Sequence, residues 1–173
     1  DVEVVVRSSY VPKERKSWCG VKLHRLWAPR ISGLEALIHS FLGAFYAAII
    51  RPDVLHIHCI GAAIVTPLAR WFKLRVVVTR HSSNYEHEKW GYLARSLLRL
   101  GEKWGMQYAH QRIAISGVIK KLVHDKYQVD SVVIPNGVTC SEIISDIDEL
   151  EKHSLSPQRY ILLVGRFDPV KRH

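Results

Sequence analysis

His81 directly follows Val76-Val-Val-Thr-Arg80, so its imidazole stands where a strand ends and a loop begins. In that place it could hydrogen-bond a substrate hydroxyl or stabilise developing charge, or simply cap the next helix. His56 and His58 are two apart in Asp53-Val-Leu-His-Ile-His58, on one face of a strand. A metal would need a third ligand at a suggestive spacing, and none is found, so no metal site is expected and one of the two reads as packing at the sheet edge with its nitrogens satisfied. Arg166 and Lys171 share the loop Gly165-Arg-Phe-Asp-Pro-Val-Lys171. A planar guanidinium and a mobile ammonium suit a diphosphate, and Gly165 lets a ligand approach the backbone. A solvated basic tail is the plainer alternative. Pro135-Asn136-Gly137 is a turn signal. No dinucleotide glycine fingerprint, P-loop or nucleophile elbow occurs.

These residues need strands and helices to bring them together. Val2 to Val6, Val21 to Trp27, Asp53 to His58, Leu74 to Thr79, Gln111 to Ile115, Ser131 to Ile134 and Tyr160 to Val164 read as strands. Between them, Leu34, Leu37, Ile38, Phe41, Leu42, Phe45 and Ile49 recur at helical spacing, and Pro52 stops that helix. Further helices are expected over Ala62 to Phe72, from near Glu86 to Tyr108 with weak points at Gly91, Gly101 and Gly105, and over Val118 to Lys126 behind a Ser116 cap. Strands alternating with helices imply an α/β, doubly wound, mainly parallel sheet with helices on both faces. In such a sheet ligands bind beyond the carboxyl ends of the strands, where His58, His81, Ser116-Gly117 and Gly165-Arg166 all fall.

The 173 residues carry 25 Lys+Arg against 16 Asp+Glu, and 47 % are hydrophobic. That is an ordinary globular composition, which excludes a disordered, collagen-like or disulfide-stapled chain. No apolar run is long enough to span a bilayer. Cys19, Cys59 and Cys140 are too few and too scattered for a zinc site, and fit a reducing, cytoplasmic compartment. The basic excess lies in the first 135 residues, and an acidic stretch from Ser141 to Lys152 reads as a connection. Lys89, Arg95, Arg99 and Lys103 fall near one helical face with Trp90, Leu97, Leu98 and Trp104, while Lys120, Lys121 and Lys126 add a second cluster. Such a helix could lie on the anionic inner face of a membrane as a peripheral anchor, or pack on the sheet with its cations in water. No nucleic-acid motif accompanies the charge.

Five segments in order carry a resemblance: Asp53-Val-Leu-His-Ile-His58, Val76-Val-Val-Thr-Arg-His81, Ile113-Ala-Ile-Ser116, Val133-Ile-Pro-Asn-Gly-Val138, and Ile161-Leu-Leu-Val-Gly-Arg-Phe-Asp-Pro-Val-Lys171. The chain resembles retaining GT-B glycosyltransferases of family four, and Thr79 to Gly91 is similar to the rhamnosyltransferase-like subgroup of bacterial polysaccharide enzymes. The resemblance implies two Rossmann-like domains across a cleft. Residues 1–138 would be the acceptor-side domain, lacking its first strand, with 139–158 the connection and 159–173 the start of the nucleotide-sugar domain. It implies that His81 contacts the sugar, that Arg166 and Lys171 hold the donor diphosphate, and that Asn136 and Gly137 mark the crossing between domains. The donor would be a nucleotide-sugar, the acceptor lipid-linked or a saccharide, and neither metal nor other cofactor would be needed. A piece incomplete at both ends is expected to be inert by itself. Two alternatives are a noncatalytic basic module that holds nucleic acid or acidic polysaccharide, and a GT-B nucleotide-sugar epimerase.

Overall fold

The computed structural model describes residues 1–31, 33–82, 91–140 and 148–165. The chain divides into two compact units, 1–136 and 137–173.

The first unit contains two sheets. Glu3–Arg7 (β1) pairs in parallel with Val21–Leu26 (β3), and Ser17–Trp18 (β2) pairs antiparallel with β3. The short β2 escapes the sequence pattern. Its turn is made by Cys19 and Gly20, both at positive φ (47° and 79°), the two-residue geometry that matches strand twist. Leu55–His58 (β4), Val76–Arg80 (β5), Gln111–Ala114 (β6) and Val132–Val133 (β7) form a four-stranded parallel sheet in chain order. The expected single sheet is therefore divided. Among the described residues, β1 pairs only with β3 and β4 only with β5, so no backbone ladder joins the two halves.

Helices connect the parallel strands, as that topology demands. Leu34–Ile50 (α1) precedes β4 and ends where Arg51 turns left-handed (φ 53°) and returns its N–H to the Ala47 carbonyl. Between β4 and β5 come a 3₁₀ turn, Ala62–Val65, and Thr66–Trp71 (α2), with Pro67 in its first turn. Tyr92–Tyr108 (α3) joins β5 to β6, and Gly117–Tyr127 (α4) joins β6 to β7. Ser116 caps α4, its hydroxyl oxygen accepting from the Ile119 N–H at 3.3 Å. All four helices reach one apolar cluster built on Ile57, Val76 and Val78, where Ala47, Ala69, Met106 and Val123 meet the sheet. This is the Rossmann-like α/β arrangement that the alternation of elements implies.

Gly101 and Gly105 do not weaken α3. They let it settle onto the 3₁₀ turn. A Cβ at Gly101 would lie 2.3 Å from the Ile60 carbonyl oxygen, and one at Gly105 would lie 2.6 Å from the Ala63 Cβ. The stretch 86–90, expected to begin this helix, lies outside the described residues. In the second unit, Asp148–Lys152 (α5) is a short helix. Tyr160–Val164, expected as a strand, makes no strand pairing among the described residues, and Ile161 is 99 % exposed. An isolated apolar run has no ladder to satisfy its backbone, so strand propensity alone does not make it a strand.

Candidate functional site

At the carboxyl end of the four-stranded sheet, period-2 alternation separates two chemistries. Ile57, Val78 and Arg80 point to the helices and are buried. His56 and His58 point the other way, and the register sets His58 against Thr79, so the next residue in phase, His81, falls on their side. The His56 Nε2 is hydrogen-bonded to the Thr79 hydroxyl at 2.7 Å. His58 Nδ1 and His81 Nε2 are 3.2 Å apart, and the rings of His56 and His58 lie tilted against each other with centroids 4.2 Å apart. Three imidazoles thus form a row along the rim. The pair in which the sequence reads edge packing is continuous with the one assigned to chemistry.

A hydrogen bond between His58 and His81 needs one nitrogen with a proton and one without, so it exists only while the pair is not doubly charged. Burial pushes the His58 pKa below the usual histidine value, and a positive charge on His81 would push it further. Burial, then His58 and His81, do the same to His56. His56 and His58 are thereby biased towards the neutral imidazole, which both donates and accepts hydrogen bonds.

Beneath the row lies an ionic cluster that the sequence did not reveal. Arg80 Nη2 is 2.7 Å from Glu102 Oε1, and Lys126 Nζ donates to Glu102 Oε2 at 2.6 Å. Arg80 and Glu102 are 2 % and 0 % exposed. Burial alone would raise the Glu102 pKa. Hydrogen bonds from Lys126 and Tyr127 and the charges of Arg80 and Lys126 outweigh it, holding the carboxyl below its ordinary value. Burial beside this anion pushes Tyr127 up to about 12. Lys126 is accordingly no part of a free basic patch. One carboxylate of α3 instead ties the end of β5, immediately before His81, to the last turn of α4.

The remaining site expectations fare unequally. Ser116 and Asn136 lie beyond the ends of β6 and β7, on the same rim as His58 and His81. Gly137 opens the second unit, and Gly165 is exposed within it. Arg166 and Lys171 lie outside the described residues. Of the expected basic face of α3, Arg99 and Lys103 are exposed, Arg95 is half-buried, and Lys89 and Trp90 are outside the described residues. Trp104 packs against the core, so the carboxyl half of this helix is held by its apolar stripe. Cys19, Cys59 and Cys140 are free thiols. No described helix is long and apolar enough to cross a membrane.

The family comparison matches residues 1–137 to the glycosyl transferase 4-like domain, which spans the whole first unit, the histidine row included. The chain belongs to that family. No curated protein matches it. A glycosyltransferase domain brings a sugar donor and an acceptor together, and in this one the rim of β4 to β7 presents hydrogen-bonding imidazoles backed by the buried Arg80–Glu102 ion pair.

Proposed function

We propose that the protein transfers a hexose or deoxyhexose from a nucleotide-sugar to a lipid-linked or saccharide acceptor, with retention of anomeric configuration, in cell-surface polysaccharide synthesis. The observation that carries this reading is the His58–His81 pair on the carboxyl rim of a glycosyltransferase domain. His81 offers an imidazole nitrogen to a sugar hydroxyl, and its contact with His58 orients the ring. Arg166 and Lys171 neutralise the charge that develops on the departing nucleoside diphosphate, where preorganised cations act most strongly. Gly165 gives the phosphates room to approach the backbone, and Asn136 and Gly137 form the turn between acceptor and donor sides. Neither metal nor other cofactor is required by this chemistry. A lipid-linked acceptor places the protein in the cytoplasm, at the inner face of a membrane.

The test is transfer from a panel of nucleotide-sugars by the native polypeptide that carries these residues, with the new linkage assigned by NMR. Retained configuration supports the reading; inversion, or no transfer with any donor, overturns it. His81→Ala should lower kcat by about 10²-fold, the scale of a lost positioned acid–base group. An unchanged rate would remove His81 from the reaction.

A further inference from the structure

The opposite end of the four-stranded sheet carries a second grouping of side chains, which sugar transfer does not use. There α1 and α2 finish and β4 and β5 begin. Arg51, Pro52, Asp53, Lys73, Leu74 and Arg75 line a pocket of about 230 Å³, three cations with a single carboxylate. Arg70, in the last turn of α2, adds a fourth cation and is hydrogen-bonded to His110. Burial, then the charges of Arg70 and Arg75, push the His110 pKa down, which marks this edge as electropositive.

An aromatic and aliphatic surface adjoins the pocket. Trp71 is 77 % exposed, Ile49 78 % and Phe45 48 %. The rings of Phe45 and Trp71 both lean on Phe72, with centroids 5.4 and 5.3 Å away. Arg51 donates from Nη1 to the Phe72 carbonyl at 2.7 Å, so the cations and the apolar side chains form one continuous surface. Phe41, Phe45 and Ile49 are spaced four residues apart along the outer side of α1, and extend it as an apolar stripe.

We propose that this edge docks on an anionic phospholipid bilayer, with a lipid phosphate in the Arg51–Lys73–Arg75 pocket and with Trp71, Ile49 and Phe45 in the interface. The charge decides the occupant. A second copy of the chain would face its own cations with cations across a two-fold interface, whereas an anionic leaflet complements all four. Tryptophan prefers the headgroup level, and aliphatic side chains bury readily in the acyl boundary beneath it. Each cation held at such a surface strengthens binding roughly fivefold. The proposal rests on the proposed function only in that cell-surface polysaccharide synthesis takes place beside a bilayer; this edge, opposite the histidine rim, would tether the protein and not present the acceptor.

Flotation of the full chain with phosphatidylcholine vesicles, with and without phosphatidylglycerol, tests it. Binding is expected only where phosphatidylglycerol is present. Lys73→Glu with Arg75→Glu should weaken it roughly 25-fold or more, Trp71→Ala should weaken it several-fold, and Arg99→Glu with Lys103→Glu on α3 should leave it nearly unchanged. Far-UV circular dichroism and urea midpoints establish that each variant is folded. Glycerol phosphate at millimolar concentration should compete poorly, because it lacks the apolar half of the contact. The proposal is overturned if no flotation occurs, if the neutral vesicles bind equally well, or if the α3 pair abolishes binding and the edge variants do not. Transfer to a soluble saccharide acceptor needs no bilayer, so its loss with flotation intact would strike the proposed function alone.

Discussion

The two ends of the four-stranded sheet are made by the same strands, yet they carry opposite chemistry. At the carboxyl end the side chains facing out are His56, His58 and His81, close enough to one another that each discourages charge on its neighbours. At the amino end Arg51, Arg70, Lys73 and Arg75 hold permanent charge around a shallow pocket. Strand polarity accounts for much of the difference. Where parallel strands begin, the preceding helices end, and their unpaired carbonyls favour cations: Arg51 caps α1 and Arg70 lies in the last turn of α2. Where the strands end, loops lead into helix N-termini, where an added cation is least welcome. Imidazoles face out there, and the Arg80 guanidinium at the end of β5 is turned inward onto Glu102. The direction of a parallel sheet thus helps to separate an imidazole rim from a cationic one.

The sharpest way to break the contrast is to remove the anion that holds Arg80 inward at the carboxyl end. Glu102→Gln removes one carboxylate from the buried Arg80 guanidinium, and a cost of about 3–5 kcal/mol in urea unfolding is expected. Lys126→Met removes a partner that is 45 % exposed, so a visibly smaller loss is expected. Equal losses would mean that the cluster does not depend on Arg80. Because Glu102 anchors the residue before His81, any folded Glu102→Gln protein should also show altered His81 imidazole resonances, while His110 at the far edge keeps its own.

A smaller perturbation separates the two ends by packing alone. Gly101→Ala forces a methyl group against the Ile60 carbonyl oxygen, just beyond His58 at the end of β4. Backbone cannot rotate away as a side chain can, so a loss of roughly 1–3 kcal/mol is expected. Vesicle binding by the edge around Trp71 should persist in the folded fraction. A stabilised Gly101→Ala protein, as helix propensity alone would predict, would show that α3 does not sit on this turn as described.

What the sequence could disclose followed the range of the interactions. His81 and Ser116 were legible because each directly follows an apolar run, and local order places them on the rim. The parallel sheet was legible for the same reason, from alternation of elements. Glu102 was not. In Gly101-Glu-Lys103 it reads as one more solvent-facing charge, and its partners Arg80 and Lys126 are more than twenty residues away in either direction. Gly101 and Gly105 read as helix breakers because propensity describes the isolated helix and not the turn beneath it. The amino-terminal edge was hidden in another way. Its cations sit in separate connections, between α1 and β4 and between α2 and β5, and no periodicity links them before the strands pair. The stretch Tyr160–Val164 shows the reverse, a local pattern without a partner to realise it.

The gentlest test is pH, and it addresses the histidines at both ends. His56 and His58 at the carboxyl rim and His110 at the amino edge all have pKa values below the ordinary 6.5. With folded values depressed, the unfolded chain binds protons first as acid is added. Stability is therefore complete above pH 6.5 and falls as the pH drops below it towards the folded values. His58→Gln removes one of these groups and the repulsion it exerts on His56, so its stability should decline less steeply between pH 6.5 and 5 than that of the unaltered chain. The same variant should bind phosphatidylglycerol vesicles as before. At the other edge, protonating His110 adds a positive charge to a surface already cationic, so vesicle binding should strengthen over the pH range in which the His58–His81 bond is lost. A His58→Gln variant whose vesicle binding followed pH differently from that of the unaltered chain would mean that the two ends are not electrostatically separate, and the division of labour along the strands would fail with them.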